Sequence, residues 1–598
     1  MQVRGQANFK NPSQEAGLVY FVERLEELTY EYSLDSYKAP PANPPVLIKE
    51  ALDQLDAIEA TGDEGIGAAA YIVKELADRL KDNIISQSLI SQGRDVQNGL
   101  SNNDRSSLRS LLQVLTKELS PPAYISKAFE LVLSTVPSNK KMDIDFLVTE
   151  LVATLQNAGM SRRYIYRTTV RYWYDDVGVE KRSISDLAPF LKLIFLYQHE
   201  FVVFFKASLL VDELKNENFE AFRIQIQDEL DDDFKMAPAA KSFMKRKEKE
   251  RFVRVAGFKG FDRDSAVESA REKVGLIHNM FRVYHHKQDF QLSRHAMVKQ
   301  CCESEIVLVD DTDKVMLHVA DDRPGAAARR LDNLLRNSAF SRGADKRRFY
   351  SIAGFHAMSL EASSLENQII NLWIGLETIS PSRVGKTKID SVVNAIVPCL
   401  GLRYLERTMA GAATDLITWD RKAALQHLKA PAPGPERSLA EYLARLLLAA
   451  DESAVNALFQ DLGTNELLRH RLYRLRRNLA EPTKALSLIE SHEQRVEWQI
   501  RRIYRTRNAI VHKGELPSSV HSVIDSAHFY LDQTIQITNE LSCGPQGFHL
   551  YRDTFHYLRL EYEAYKRVLR SAGAYGDDVC TGLFWKRPPL LWPKEMFG

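Results

Sequence analysis

The sequence predicts a mostly α-helical protein, with an N-terminal helical region, a small α/β segment and a C-terminal helical bundle. Three observations predict it. Apolar residues recur three and four apart over most of the 598 residues. Runs that alternate like strands are confined to a short central stretch. Composition breaks, not a fixed-period repeat, separate the blocks, which gives a division into 1–240, 250–322 and 325–598.

In chain order, helical spacing covers 13–35, 46–62, 68–98 and 104–118, and the Pro-rich turn Ala39-Pro40-Pro41-Ala42-Asn43-Pro44-Pro45 divides the first two. Residues 143–160 and 163–175 read as a helical pair. The apolar stretch Leu187–Val211 is interrupted by Lys192, His199, Glu200 and Lys206, so it reads as a buried core element rather than a membrane span. An acidic run (Asp228, Glu229, Asp231, Asp232, Asp233) and a basic one (Lys241, Lys245, Arg246, Lys247, Lys249) mark the expected linker. Phe252–Phe258 and Glu305–Val309 alternate like strands, and Val315–Val319 is placed to pair with the latter. From about 326 the chain reads as helix, interrupted by the loop Ala430-Pro431-Ala432-Pro433-Gly434-Pro435.

Composition limits the function classes. The five cysteines (Cys301, Cys302, Cys399, Cys543, Cys580) are odd in number and irregularly spaced, which argues against a disulfide framework and for a reducing compartment. The polar N-terminus lacks the apolar core of a signal peptide, so a cytoplasmic protein with no membrane partner is expected.

The chemistry concentrates in Tyr504–Gly514, YRTRNAIVHKG. Spacing alone carries no weight, because Arg421/His427 and Arg271/His278 lie at similar separations. Placement does. Val496, Ile500, Ile503, Arg507 and Ile510 recur at helical spacing, which puts Arg507 on an apolar stripe. An arginine there is costly unless it is paired or meets an anion. Asn508 and His512 are four apart and share a face. Gly514 suits a helix C-cap, so His512 falls in the last turn, where the helix dipole favours its protonated form. Arginine can stabilise phosphoryl charge and histidine can move a proton near pH 7. The blander alternatives are a dipole-complementing last turn and an arginine at the edge of the stripe.

Around this motif, Arg469–Lys513 carries ten Arg and two Lys against four Glu, a net +8 in a chain of net +1. Such a segment is an electrostatic footprint for polyanions, with Tyr473 and Tyr504 available for stacking on bases. The alternative is that these arginines pair with acidic faces of the same chain.

Trp498–Gly514, WQIRRIYRTRNAIVHKG, resembles the signature helix of HEPN domains, and Asn371–Ile379, NLWIGLETI, resembles the earlier HEPN helix that ends in an acidic residue. Spacing and insert are most similar to the ApeA-type branch of prokaryotic anti-phage proteins. The likeness spans roughly 325–570 and leaves 1–240 unexplained. It implies an all-α bundle that forms a homodimer or higher homo-oligomer, with two Arg/His motifs in one cleft. It implies metal-independent endoribonuclease activity with no cofactor. By this likeness His512 moves protons, Arg507 stabilises the phosphorane, and Asn508 orients the phosphate or His512. Glu377 holds Arg507, and Tyr504 supports the site. Arg474, Arg477, Arg501, Arg502, Arg505 and Lys513 are the expected RNA contacts. The residues 1–240 are then a sensor for a phage-derived trigger.

Other motifs are weaker. Gly385-Lys386-Thr387 ends like a Walker A loop, but Ser380 stands where a glycine is needed and Leu372–Ile379 reads as helix. Arg383, Lys386 and Lys388 remain candidate phosphate contacts. Cys301-Cys302 with His285, His286 and His295 lacks paired metal-ligand spacing and reads as core. The aromatic run Tyr164, Tyr166, Tyr172, Trp173 and Tyr174, with Arg162, Arg163, Arg167 and Arg171, reads as a helix with its aromatics turned inward.

Overall fold

The computed structural model describes residues 2–585 except 32, 34–36, 61–66, 92–94, 103, 176–180, 196, 215–221, 230–234, 237, 246–248, 311–315, 317–321, 363, 382–386, 430–436, 450–451, 518, 544–546 and 576–578. The N-terminal helices are α1 (Ala16–Thr29), α2 (Pro44–Ala60), α3 (Ala69–Lys81), α4 (Ile84–Leu89), α5 (Val96–Leu100), α6 (Arg105–Glu118), α7 (Pro121–Thr135) and α8 (Lys141–Asn157). Next come α9 (Arg162–Val170), α10 (Leu187–Ile194), β1 (His199–Ser208), β2 (Ile224–Gln227), β3 (Lys235–Met236), α11 (Pro238–Met244), β4 (Glu250–Gly260), α12 (Arg263–Tyr284), β5 (Ala296–Gln300) and β6 (Glu305–Val309). The C-terminal helices are α13 (Pro324–Asn337), α14 (Lys346–Glu361), α15 (Leu365–Ile379), α16 (Lys388–Leu402), α17 (Tyr404–Trp419), α18 (Arg421–Lys429), α19 (Leu439–Leu447), α20 (Ser453–Asp461), α21 (Glu466–Asn478), α22 (Pro482–Lys513), α23 (Val520–Cys543), α24 (Tyr551–Ser571) and α25 (Val579–Leu583).

The chain divides into two compact units. One joins Met1–Leu28 and Tyr32–Ala153 to Val315–Gly598; the other holds Thr29–Glu31 and Thr154–Lys314. The N-terminal helices therefore pack with the C-terminal bundle, where the sequence suggested a separate region. Ion pairs between residues far apart in sequence join them, as detailed below.

The expected helix over 68–98 is three helices, because local caps interrupt it. Asn83 accepts the Ser86 amide at 2.8 Å and Asp95 accepts that of Asn98 at 3.0 Å. Asp104 starts α6 in the same way, accepting the Ser107 amide at 2.7 Å. The Pro-rich turn is shorter than it reads, since Pro44 and Pro45 already belong to the first turn of α2.

In the second unit, five antiparallel strands run in the order β2-β4-β1-β5-β6, and the short β3 adds parallel to β6. β1 is the central strand, with Phe201, Val203 and Phe205 packed towards α12 residues such as Val267, Ala270 and Val274. Of the stretch Leu187–Val211, Leu187, Phe190, Leu191 and Ile194 are buried on α10 and Phe201, Val203, Phe204 and Phe205 on this strand, while Tyr197 between them is exposed. The sheet thus begins near 199, inside the region expected to be helical, and the expected linker at 228–250 lies within this unit. The alternation at 252–258 and 305–309 does form β4 and β6. Of the run expected to pair with β6, residues 315 and 317–319 fall outside the described residues, as do 430–435 of the expected Pro/Gly loop. Trp173 is fully buried against Tyr172 and Phe190, and Arg182 stacks 3.9 Å over Tyr172. No described helix is long and apolar enough to cross a membrane.

The core of the first unit gathers the apolar faces of α15, α16, α22, α23 and α24. Leu372, Leu376, Ile396, Leu400, Val496, Ile500, Ile503, Ile524, Leu531 and Leu558 are all essentially inaccessible to solvent. Gly375 lets α15 approach Leu531 of α23, where a Cβ would meet that side chain at 2.8 Å.

Candidate active site at the end of a long helix

α22 is a 32-residue helix, about 48 Å long, that carries the motif at its C-terminal end. Pro482 opens it at the first turn, where a missing amide hydrogen costs nothing. Gly514 closes it with φ 68°, the left-handed conformation expected of a C-cap. Its amide returns to the Ile510 carbonyl at 3.0 Å and that of Glu515 to Ala509 at 3.4 Å. Val496, Ile500, Ile503 and Ile510 form the buried stripe.

Arg507 lies half-buried beside that stripe. Its Nη1 donates to Asn508 Oδ1 at 3.0 Å, and its buried Nε has no hydrogen-bond partner among the described residues. Asn508 is half-buried, while Val511, His512 and Lys513 are exposed. Five residues of helix separate Arg507 from His512 by about 140° around the axis. One chain therefore turns the guanidinium towards the bundle and the imidazole towards solvent, and only Asn508 lies on the His512 side.

Glu377 was expected to hold Arg507. It stands at the end of α15 as expected, but accepts from Trp373 Nε1 at 3.1 Å and pairs with Lys388 at 3.2 Å. Tyr504 packs on Trp373, with ring centroids 5.1 Å apart. Lys388 is thus engaged by Glu377, and Arg383 and Lys386 lie outside the described residues. Thr387 caps α16 through a reciprocal capping box with Asp390, and Leu372–Ile379 is helix rather than the strand that a Walker A loop follows.

The surrounding positive charge is largely neutralised within the chain, by carboxylates paired with four of the six expected RNA contacts. Arg502 is buried between Glu75 (2.7 Å) and Glu50 (3.1 Å), and Arg505 pairs with Glu50 at 3.0 Å. Arg501 pairs with Glu497 (2.9 Å) and Asp390 (3.1 Å) and stacks 3.6 Å over Tyr71. Arg474 pairs with Asp145 at 2.5 Å. Arg471 is buried between Glu27 and Asp415 and stacks over Tyr37. Arg469 and Arg476 pair with Glu466 and Glu452. Two of the six expected contacts, Arg477 and Lys513, are exposed and stand clear of these pairs. Arg471, Arg501 and Arg502 are both paired and buried, whereas Arg474 keeps part of its surface exposed beside Asp145.

These pairs set the local electrostatics. Burial pushes the Glu50 carboxyl up, but Arg502 and Arg505 outweigh it and hold Glu50 below its ordinary range. Glu27 is likewise lowered, burial being outweighed by Arg471 and Arg24. His470 moves the other way: burial, then Arg474, lowers it to about 4. His492, buried and stacked on Tyr404 at 3.9 Å, is lowered chiefly by desolvation.

Among the described residues, two groups of potential metal ligands come together. Cys301 and Cys302 approach His199, with Cys302 Sγ 3.3 Å from His199 Nδ1. Both cysteines are exposed rather than core, and His285, His286 and His295 take no part in the group. The second group, His356, His528 and Asp532, was not anticipated. The signal available in sequence was the His528/Asp532 pair four apart on one helix face. Comparisons with protein-family models, curated proteins and solved structures returned no match.

Proposed function

We propose that the chain is a metal-independent endoribonuclease of the HEPN type, acting in prokaryotic anti-phage defence by abortive infection. The observation that carries this reading is the glycine-capped last turn of α22. It presents His512 to solvent one helical turn from Asn508, which in turn accepts from Arg507. In the reaction, a base removes the proton of an RNA 2′-hydroxyl, whose oxygen attacks the adjacent phosphorus. The P–O5′ bond breaks, and an acid returns a proton to the departing oxygen. One product ends in a 2′,3′-cyclic phosphate and the other in a 5′-hydroxyl. His512 supplies one proton transfer and Arg507 stabilises the phosphorane, a division of labour that needs no metal.

The angular separation of Arg507 and His512 on one helix favours a composite site, in which a second copy completes the set by bringing its own α22 end alongside. A homodimer or higher homo-oligomer is the working assembly. RNA is held mainly by Arg477, Lys513 and Arg507, members of the basic segment that pair with no carboxylate among the described residues. The N-terminal helices α2 and α3 grip α22 through Glu50 and Glu75 just before the motif. In this reading they restrain the nuclease until a phage-derived trigger acts. Purified protein, without added divalent ion, cuts single-stranded RNA to cyclic-phosphate ends, and Arg507→Ala or His512→Ala stops cutting with unchanged thermal stability. Cutting at the wild-type rate in either variant contradicts the mechanism.

A second reading draws on the ion pairs. Arginines consumed by carboxylates suit a non-catalytic helical scaffold that binds RNA or protein through the exposed end of α22. Under it, RNA is bound without cleavage, and Arg477→Ala with Lys513→Ala weakens binding while no cyclic-phosphate end appears.

A further inference from the structure

We infer that His356, His528 and Asp532 form a binding site for a divalent transition-metal ion of the zinc class, which ties α14 to α23. His356 Nε2 lies 3.2 Å from His528 Nε2 and 2.8 Å from Asp532 Oδ1. His528 Nε2 lies 3.2 Å from Asp532 Oδ2. His528 is buried, while His356 and Asp532 are partly open to solvent.

The three contacts are short enough for hydrogen bonds or for ligation of one shared cation. Each Nε2 carries at most one proton, aimed in one direction. Both imidazoles can donate to Asp532, each to its own carboxylate oxygen, with the two nitrogens 3.2 Å apart. If one donates to the other, the acceptor turns a bare lone pair towards a carboxylate oxygen. A cation at the centre instead takes both ring nitrogens and the carboxylate as ligands. Its geometry fits: metal–nitrogen and metal–oxygen bonds of about 2.0–2.1 Å in a tetrahedral site give ligand–ligand edges of about 3.3 Å. Two imidazoles and one carboxylate are ligands suited to zinc and its neighbours, whereas magnesium and calcium prefer all-oxygen sites. The partial exposure of His356 and Asp532 leaves the fourth position to water.

The site also has a structural consequence. α14 packs on α15, and α15 on α23. An ion shared by His356 and the His528/Asp532 pair links the outer helix directly to the inner one. His528 and Asp532 are four apart on α23, so both reach the ion from one face without distorting the helix.

The probe is Co2+, added to full-length protein carrying Cys301→Ser and Cys302→Ser, so that the His199 group offers no thiolate. The expected result is one equivalent bound, with a four- or five-coordinate visible spectrum lacking thiolate charge transfer. Asp532→Asn and His356→Ala, each with an unchanged far-UV circular dichroism spectrum, lower Co2+ affinity at least tenfold. Zn2+ raises the Tm of the parent protein but not that of Asp532→Asn, the near-isosteric variant least disposed to misfold. Failure of the parent to bind Co2+, or binding of equal strength in Asp532→Asn, overturns the inference and leaves a hydrogen-bonded cluster only.

Discussion

At the scale of single residues, the arginine-rich segment shows why charge counts mislead. Its net +8 is legible in the sequence; its neutralisation is not, because the compensating carboxylates Glu27, Glu50, Glu75 and Asp145 lie more than 300 residues upstream. Removing one partner of a buried pair leaves the other charge unpaired in a medium that solvates it poorly. Glu75→Ala should therefore destabilise the protein by about 3–5 kcal/mol, measured by chemical denaturation, with Arg502 left half-compensated by Glu50. His470 provides a pH test. Its pKa is lowered in the folded state to about 4 from about 6.5, so the folded protein binds that proton less readily than the unfolded chain. The associated stability is present above pH 6.5 and is lost as pH falls through 4. His470→Gln should flatten the decline of Tm over that window; a slope as steep as the wild type's would show that other groups drive it.

Elements were legible where their signals are local. The cap of α22 followed from a glycine at the end of an apolar stripe, and α6 from the apolar spacing over 104–118. Gly514 adopts a positive φ with open space around its Cα, so Gly514→Ala meets no clash but does meet backbone strain. It should cost about 1 kcal/mol in equilibrium unfolding and fray the turn that holds His512, lowering RNA cleavage more than stability. An Ala variant as stable as wild type would remove the cap from the account. The interruptions of 68–98 were missed because apolar spacing continues through Asn83 and Asp95, whose caps act on the backbone rather than on the pattern. Strand β1 was missed because its run of aromatic and β-branched residues, buried on both faces, lacks alternation. The ring of ligands at His356, His528 and Asp532 was missed for a third reason: two helices far apart in sequence supply it.

At the scale of the whole molecule, the N-terminal helices and the C-terminal bundle share one compact unit, locked by buried ion pairs at the base of the candidate site. If this contact restrains the nuclease, weakening it should activate. Glu50→Gln, which leaves Arg505 without its carboxylate, should raise the basal cleavage rate several-fold and speed hydrogen exchange in α2 and α3; exchange that rises without added cleavage would assign the contact to stability alone. The composite-site reading requires self-association, so light scattering should give a dimer mass or greater. The most direct test of the central claim is the chemistry of the RNA ends. RNA exposed to wild-type protein, without added divalent ion, should carry 2′,3′-cyclic phosphates that are absent with His512→Ala. Intact RNA with a fully folded, associated wild type, or identical ends with the variant, would contradict it.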